Sequence, residues 1–222
     1  MSSRPLAIKV CGLKSVHDLE AAEGADLVGF VLDVPGSPRT CPPDVARDLV
    51  HRAQDDFRTV AVLVGPTAEE VRSAWDEVGV DLVQIHGSPP QGLSRDELRR
   101  VLPSIPIPPP GKGGMDRISL ARIRGQQFPY VHLDTAGGRL PGGTGRVLDW
   151  DRARALVRSA PRRPFLLAGG LTPENVGEAI ARVRPAGVDV ASGVERAPGV
   201  KDRRKVQRFI RAVRRWEEEQ DA

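Results

Sequence analysis

The feature that most constrains the fold of this chain is an alternation of short aliphatic runs with amphipathic helical stretches. Seven aliphatic runs are predicted to be strands: Leu6–Val10, Leu27–Leu32, Thr59–Val64, Leu82–Ile85, Tyr130–Leu133, Phe165–Ala168 and Val188–Ala191. Strands that are each followed by a helix run parallel, with the helices as crossover connections. The sequence therefore predicts an α/β fold, a (β/α)8 TIM barrel that forms a single domain over residues 1–222. An open doubly wound sheet is the alternative.

The helical stretches between these runs begin with recognisable start signals. Thr67, followed three residues later by Glu70, forms a capping box before an amphipathic stretch. Ser15 is predicted to cap an earlier helix in the same way. Proline is favoured at the first helical position, so Pro173 is predicted to begin the helix that runs to Val183.

The eighth strand that a closed barrel needs has to lie between Ile85 and Tyr130. That interval contains the proline-rich tract Pro106–Pro110. Proline lacks the N–H group that a central strand donates to its neighbour, so the sequence predicts a short fifth strand, Ser104–Ile107. A linker is the alternative, although neither flank has enough apolar sequence to close a core alone.

Composition argues against nucleic acid and membranes as partners. The net charge is +4, but the excess lies largely in the arginine-rich stretch Lys201–Arg215, and only nine aromatic residues are present to stack on bases. A solvated helix face explains that stretch better than a nucleic-acid surface does. No apolar run reaches the roughly 20 residues that span a bilayer, and Met1–Lys9 lacks the features of a secretory signal. We expect a cytoplasmic protein, as a monomer or a homodimer.

The cysteines and histidines do not predict a metal site. Cys11 and Cys41 lack the spacing of a metal-binding pair and are expected to be free thiols. The four histidines lack the His-Glu-x-x-His spacing. One of them, His132, precedes Asp134 by two residues, so both side chains are predicted to share one face of a strand.

Three glycine-rich segments in the second half of the chain are candidates for binding phosphate. They are Gly142–Gly145, which includes Gly143, then Gly169–Gly170, and Ser192–Gly193. Glycine lets backbone N–H groups approach an anion closely, and barrels often build a phosphate site from the loops after the last two strands. The second and third segments are therefore predicted to hold a phosphate. A tight strand-to-helix turn is the structural alternative for each.

Two reactive side chains are placed at predicted strand ends. Cys11 follows the first strand, and Asp134 follows the strand Tyr130–Leu133. In parallel barrels, side chains at the C-terminal ends of the strands carry out the chemistry. Taken singly, the cysteine could be a small buried hydrophobe and the aspartate a turn cap. Taken together, they form a candidate pair of general base and general acid.

Motifs along nearly the whole chain resemble those of the phosphoribosylanthranilate isomerase family. Each motif is weak alone, but the order and spacing of the whole set make the resemblance specific. The matching segments are Lys9–Leu13, Ser37–Arg39, Val83–Gly87, Leu133–Thr135, Gly142–Gly145, Asp149–Trp150, Leu167–Leu171, Pro173–Asn175, Val188–Val190, Ser192–Glu195 and Pro198–Lys201.

The resemblance implies an isomerase of tryptophan biosynthesis that acts on a small phosphosugar and needs no cofactor or metal. Its reaction would be the Amadori rearrangement of N-(5-phosphoribosyl)anthranilate to 1-(2-carboxyphenylamino)-1-deoxyribulose 5-phosphate. It also implies that Cys11 is the general base, that Asp134 is the general acid and that Arg39 holds the anthranilate carboxylate. The glycine-rich loops would hold the rest of the substrate, through Gly143, Gly169, Gly170, Ser192 and Gly193.

Two other functions stay open at this point. The segments Leu63–Gly65 and Ser88–Pro90 depart from residues common in the family, which favours weakly a related barrel isomerase for another phosphosugar. A non-catalytic phosphate-binding barrel is the third possibility. The presence of both Cys11 and Asp134 argues against it, because a protein that only binds has no need of the pair.

Overall fold

The computed structural model describes residues 5–108, 127–136 and 148–221. Within these ranges, eight parallel strands form one closed sheet, in which each strand pairs with the next and the last pairs with the first. The strands are β1 (Ala7–Cys11), β2 (Leu27–Leu32), β3 (Arg58–Val64), β4 (Leu82–His86), β5 (Val101–Ile107), β6 (Val131–Thr135), β7 (Phe165–Leu167) and β8 (Gly187–Val190). The predicted (β/α)8 barrel is confirmed.

Helices follow the strands and cover the outside of the barrel. They are α1 (Val16–Ala21), α2 (Pro43–Ala53), α3 (Ala68–Ser73), α4 (Arg95–Leu98), α5 (Trp150–Ser159), α6 (Val176–Val183) and α7 (Arg203–Asp221). The predicted caps are confirmed: Ser15 accepts the N–H of Asp18, and Thr67 and Glu70 form a reciprocal capping box. No helix in the described ranges is long and apolar enough to cross a membrane.

Four smaller elements complete the described structure. A π-helical turn, Ala74–Val78, extends α3, and a two-residue strand, Thr40–Cys41, pairs with the end of β2. After β8, the 3-10 turn Ser192–Val194 leads into a hairpin formed by Glu195–Ala197 and Val200–Lys201. This hairpin lies beside the mouth of the barrel and contributes charged residues to it.

The fifth strand is longer than predicted, because it starts at Val101 and not at Ser104. It contains Pro103 and Pro106; its register with β4 is continuous across Pro103, and its register with β6 is continuous across Pro106. Each proline removes only one donor from the ladder, and the residues around it supply the others. The residues from 109 to 126, which include the last two prolines of the proline-rich tract, lie outside the described ranges.

The prediction that Pro173 begins α6 is wrong, because that helix begins at Val176. The side chain of Asn175 holds the preceding residues in a turn. Its Oδ1 accepts the N–H of Thr172 at 2.8 Å, and its Nδ2 donates to the carbonyl of Gly170 at 2.9 Å. Local side-chain hydrogen bonds of this kind compete with the first helical turn.

The interior of the barrel is arranged in layers, because alternate residues of each strand point inward. A compact apolar cluster closes the end where the strands begin; it contains Ala7, Leu27, Val60, Leu82, Leu102 and Leu166. Two residues further along the strands, the buried side chains become polar: Lys9, Gln84, Ser104, His132 and Asp189. The apolar layer seals the barrel on one side, and the polar layer forms the base of the opening on the other.

Candidate active site

A cleft of about 770 Å³, including its open mouth, lies at the C-terminal ends of the strands. Clefts in this position hold small ligands in barrel enzymes. The cleft brings together the following predicted site residues: Cys11, Arg39, Asp134, Gly169, Gly170, Ser192 and Gly193. Gly143 lies outside the described residues, so its predicted role in binding substrate stays a prediction.

Cys11 is the last residue of β1, and its side chain is buried in the wall of the cleft. Burial raises the pKa of its thiol. The charges of Lys9 and Lys201 act against that rise, whereas the charge of Asp189 adds to it. Because only the deprotonated thiol is a base, the neighbouring lysines favour the form that can accept a proton.

Asp134 lies in β6, three strands away from β1 around the barrel. Burial raises the pKa of its carboxyl, and neither the charge of His132 nor the N–H of Thr135, which donates to Oδ1 at 2.7 Å, outweighs that effect. A raised pKa favours the protonated carboxyl, which is the form that can donate a proton. The environment therefore suits a general acid.

A network of buried hydrogen bonds crosses the barrel beneath these two groups. The ammonium of Lys9 donates to Asp189 Oδ2 at 3.0 Å, and His132 Nε2 lies 2.7 Å from the same oxygen. His132 Nδ1 lies 2.8 Å from the hydroxyl of Ser104. Burial acts to raise the pKa of Asp189, but Lys9 and His132 outweigh it and hold the pKa at about 2. Asp189 is therefore a buried carboxylate.

Potential metal-ligand atoms of His86, His132 and Asp134 lie within 4.8 Å of one another. Both ring nitrogens of His132 already belong to the hydrogen-bonded network. Burial and the neighbouring His132 lower the pKa of His86 to about 3, so that ring is neutral, and its Nε2 lies 3.1 Å from Gln84 Nε2. The two histidines are therefore already engaged in the hydrogen-bonded polar layer, and Asp134 accepts from the N–H of Thr135.

Arg39 lies on the rim of the cleft and forms a two-point ion pair with Glu195. Its Nε and Nη2 each lie 2.8 Å from a carboxylate oxygen of that residue. Glu195 also accepts from the ammonium of Lys201 at 2.9 Å and from the N–H of Gly199 at 3.1 Å. A guanidinium has five N–H donors, and the ion pair uses two, so part of Arg39 is committed to the fold.

The loops that follow β7 and β8 meet at one side of the cleft. Gly193 packs so closely on Leu171 that a Cβ at position 193 would overlap the carbonyl oxygen of Leu171. Gly169 and Gly170 have φ angles of +82° and +69°, a region that favours glycine. The two predicted phosphate turns are therefore neighbours, and the backbone at both depends on glycine.

Among the described residues, the N–H groups of Gly169 and Gly170 have no hydrogen-bond acceptor, whereas their carbonyl oxygens are used. Their carbonyl oxygens accept hydrogen bonds, from the N–H of Leu148 at 3.3 Å and from the side-chain amide of Asn175 at 2.9 Å. Successive free N–H groups at a strand-to-helix turn form an arrangement that binds anions.

Sequence reasoning assigned no role to four charged residues that shape this site, namely Lys9, Asp189, Glu195 and Lys201. For the first two a signal exists, because each is a charged residue flanked by apolar residues within a short buried strand. Charged residues are almost never fully buried unless they are paired, so that pattern predicts a partner inside the barrel. It does not say which partner.

The fold and the cleft define a class of protein, a (β/α)8 barrel with an acid, a thiol and glycine-rich loops at its C-terminal face. The family model described as N-(5'phosphoribosyl)anthranilate (PRA) isomerase matches residues 8–212. A Syntrophus aciditrophicus protein named N-(5'-phosphoribosyl)anthranilate isomerase is 40% identical over 212 residues, which cover 95% of this chain and 88% of that protein. This chain belongs to the N-(5'-phosphoribosyl)anthranilate isomerase family.

Solved structures agree with the family assignment. The phosphoribosyl anthranilate isomerase of Thermus thermophilus has a TM-score of 0.78 at 31% identity, and the match covers 95% of this chain and 99% of that one. Another, solved in complex with reduced 1-(o-carboxyphenylamino)-1-deoxyribulose 5-phosphate, has a TM-score of 0.73 at 31% identity, with 94% and 98% covered. The expectation of an isomerase of tryptophan biosynthesis is confirmed by these relatives.

Proposed function

We propose that this protein converts N-(5-phosphoribosyl)anthranilate to 1-(2-carboxyphenylamino)-1-deoxyribulose 5-phosphate, with Cys11 as general base and Asp134 as general acid. The observation that carries the proposal is that one cleft is lined by a thiol beside lysine charges and by a carboxyl whose pKa burial raises. The reaction needs one group that accepts a proton and one that donates a proton, and these two side chains suit those roles.

Asp134 performs the first step, which opens the sugar ring. The protonated carboxyl donates its proton to the ring oxygen, the bond between C1 and that oxygen breaks, and the nitrogen lone pair forms a C1=N iminium. The burial that keeps the carboxyl protonated also strengthens its interaction with the developing charge. An aspartate exposed to solvent, with an ordinary pKa near 4, would already have lost its proton at neutral pH.

Cys11 performs the second step, which moves the double bond along the carbon skeleton of the substrate. The thiolate takes the proton from C2, the electrons of that C–H bond form a C1=C2 double bond, and the iminium nitrogen becomes neutral. The resulting enolamine tautomerises: C1 gains a proton, the C2 hydroxyl loses one, and C2 becomes a ketone. No electrons leave the substrate, so the chemistry requires no redox cofactor.

Two features outside the acid–base pair support the placement of the substrate. The N–H groups of Gly169 and Gly170, which donate to no acceptor in the described part of the chain, and the adjoining Ser192 turn suit the 5-phosphate. Arg39, with guanidinium donors left over after its ion pair with Glu195, suits the anthranilate carboxylate. The acid and the thiol lie on strands that line the cleft between these features, where the ribose would bind.

The test is turnover of N-(5-phosphoribosyl)anthranilate by the purified protein, followed through the loss of substrate fluorescence. We expect a decay whose rate is proportional to enzyme concentration and which inorganic phosphate inhibits competitively. Binding without any decay would overturn the proposal. In that case a second measurement with other phosphorylated aminoaldoses would separate a related isomerase from a protein that only binds.

A further inference from the structure

The acid–base mechanism does not by itself explain why a lysine is buried inside the barrel. Lys9 lies in the middle of β1, and its side chain has no solvent exposure. It occupies the polar layer directly below Cys11, because side chains two residues apart point to the same face of a strand. A fully buried ammonium is costly unless it is paired, so its contacts identify what it does.

Two groups lie beside the Lys9 ammonium. Asp189 Oδ2 accepts a hydrogen bond from Nζ at 3.0 Å, and the sulfur of Cys11 is close enough for both it and Nζ to crowd a Cβ placed at position 29 of β2. Burial acts to lower the pKa of Lys9, but Asp189 and Cys11 outweigh it and raise the pKa, so the side chain keeps its charge. The ammonium therefore joins a permanent buried carboxylate to the reactive sulfur.

The backbone of β2 leaves space for this contact. Gly29 pairs with Cys11 in the sheet, and a Cβ at position 29 would lie 2.9 Å from the sulfur and 3.2 Å from Lys9 Nζ. Both distances are shorter than ordinary van der Waals contact, so any side chain at that position would displace the sulfur, the ammonium or both. Because Gly29 has no side chain, the Cys11 sulfur and the Lys9 ammonium can lie next to each other.

We infer that Lys9 is the positioning residue for Cys11: its buried ammonium, anchored by Asp189 and accommodated by Gly29, orients the sulfur towards the cleft and stabilises its thiolate form. The inference rests on the proposed role of Cys11 as general base. A thiolate beside an ammonium gains a charge-assisted hydrogen bond that a neutral thiol lacks.

Other charged groups surround Cys11, and their contacts distinguish them from Lys9. The ammonium of Lys201, from the hairpin after β8, lies near the sulfur, but it is held by Glu195 Oε1 at 2.9 Å and by the carbonyl of Ala191 at 3.0 Å. Asp189 on β8 opposes the thiolate through its negative charge. The remaining titratable groups that line the cleft are Arg39, His86, His132 and Asp134.

The pH at which the Cys11 thiol titrates and the plateau value of kcat/KM should be linked quantitatively. The competent enzyme carries a thiolate on Cys11 and a protonated carboxyl on Asp134. When the thiol titrates at higher pH than the carboxyl, the fraction of enzyme in the competent form is constant at every pH between the two pKa values. The size of that constant fraction is tenfold smaller for each additional unit by which the two pKa values differ. Loss of Lys9 should therefore raise the pH at which the thiol titrates and lower the plateau of kcat/KM by the corresponding factor.

The experiment measures Cys11 directly, by its rate of alkylation with iodoacetamide between pH 5 and 11. All variants carry Cys41→Ala, so that one thiol is observed. Lys9→Met and Lys201→Met form a matched pair, since each removes one buried ammonium and leaves the carboxylate partnered, Asp189 by His132 and Glu195 by Arg39 and the N–H of Gly199. We expect Lys9→Met to raise the alkylation midpoint by at least about one pH unit and Lys201→Met by less than half of that.

Gly29→Ala tests the same contact with every charge retained, and it decides the question if Lys9→Met does not fold. We expect an upward midpoint shift, with the kcat/KM plateau falling about tenfold for each pH unit of that shift. An unchanged midpoint in the folded Lys9→Met or Gly29→Ala protein, or an equal shift in Lys201→Met, would overturn the inference. Alkylation needs no turnover, so a parent enzyme that lacks isomerase activity overturns the proposed function separately.

Discussion

Two buried ionic clusters lie on the same side of the barrel, and they differ in how completely their carboxylates are satisfied. At the rim, both oxygens of Glu195 are occupied by Arg39, Lys201 and the N–H of Gly199. In the interior, Asp189 Oδ2 takes both Lys9 and His132, while Oδ1 is buried without a hydrogen-bond partner among the described residues.

This difference distinguishes a cluster whose contacts all serve the fold from one that lies beside the residue proposed as general base. The rim cluster ties the loop that carries Arg39 to the hairpin after β8, and every acceptor is used within the protein. In the interior cluster, one carboxylate oxygen has no partner within the described ranges, and the lysine lies beside the Cys11 sulfur. A buried acceptor without a partner is costly, which is typical of a site completed by a ligand.

The largest effect should come from removing the two groups that exchange protons. We expect Cys11→Ser and Asp134→Asn each to lower kcat by at least about two orders of magnitude. Serine is too weak an acid to supply an anion near neutral pH, and the asparagine amide cannot donate a proton in this role. The measurement is steady-state turnover of phosphoribosylanthranilate, with circular dichroism to verify folding. Near-parent rates in both folded variants would contradict the assigned roles.

The next effect concerns stability in acid. The folded pKa of Asp189 is depressed to about 2, so its contribution to the free energy of unfolding is present above pH 5 and lost as the pH falls towards 2. The shift corresponds to about 2 kcal/mol, of which about half is lost at pH 3. Urea titrations at pH 5 and pH 3 should show that the free energy of unfolding falls less between these pH values for Asp189→Asn than for the parent. Equal losses would mean that ionisation of Asp189 does not contribute to the free energy of unfolding.

A smaller effect is expected at the proposed phosphate site, where backbone groups and not a charged cluster would bind the ligand. If backbone N–H groups hold the phosphate, Gly170→Asp should raise KM by at least about tenfold through repulsion between like charges. Gly170→Asn is the matched control, because asparagine has the same shape, tolerates positive φ better than most residues and carries no charge. A KM that Asp and Asn change equally would trace the effect to backbone strain and remove phosphate from this loop.

The smallest effect should follow from Arg39→Lys, which removes the two-point geometry and keeps the charge. We expect KM to rise roughly two- to tenfold, the size of one hydrogen bond. A substrate analogue without the anthranilate carboxylate should be insensitive to the change. The thermal midpoint should also fall slightly, because the pair with Glu195 is lost. Equal KM changes for both substrates would assign Arg39 to the rim cluster alone.

Much of the architecture could be predicted from local patterns. The bounds of β2 agree with the prediction, and the capping box at Thr67 and Glu70 is present as expected. The start of α6 could not be predicted, because the side chain of Asn175 turns the chain before the helix begins. The full length of β5 also escaped prediction, since its pairing depends on two neighbouring strands that are distant in sequence.

The sequence by itself determined the barrel, the strand ends that carry Cys11 and Asp134, and the glycine turns, because periodicity and turn chemistry act over a few residues. Only the tertiary structure decided which charges meet: Lys9 with Asp189, 180 positions apart, and Arg39 with Glu195, 156 positions apart. These pairs depend on closing the sheet between its first and last strands. They set the protonation states on which the proposed chemistry relies, because electrostatic energy depends on distance and burial in the folded chain.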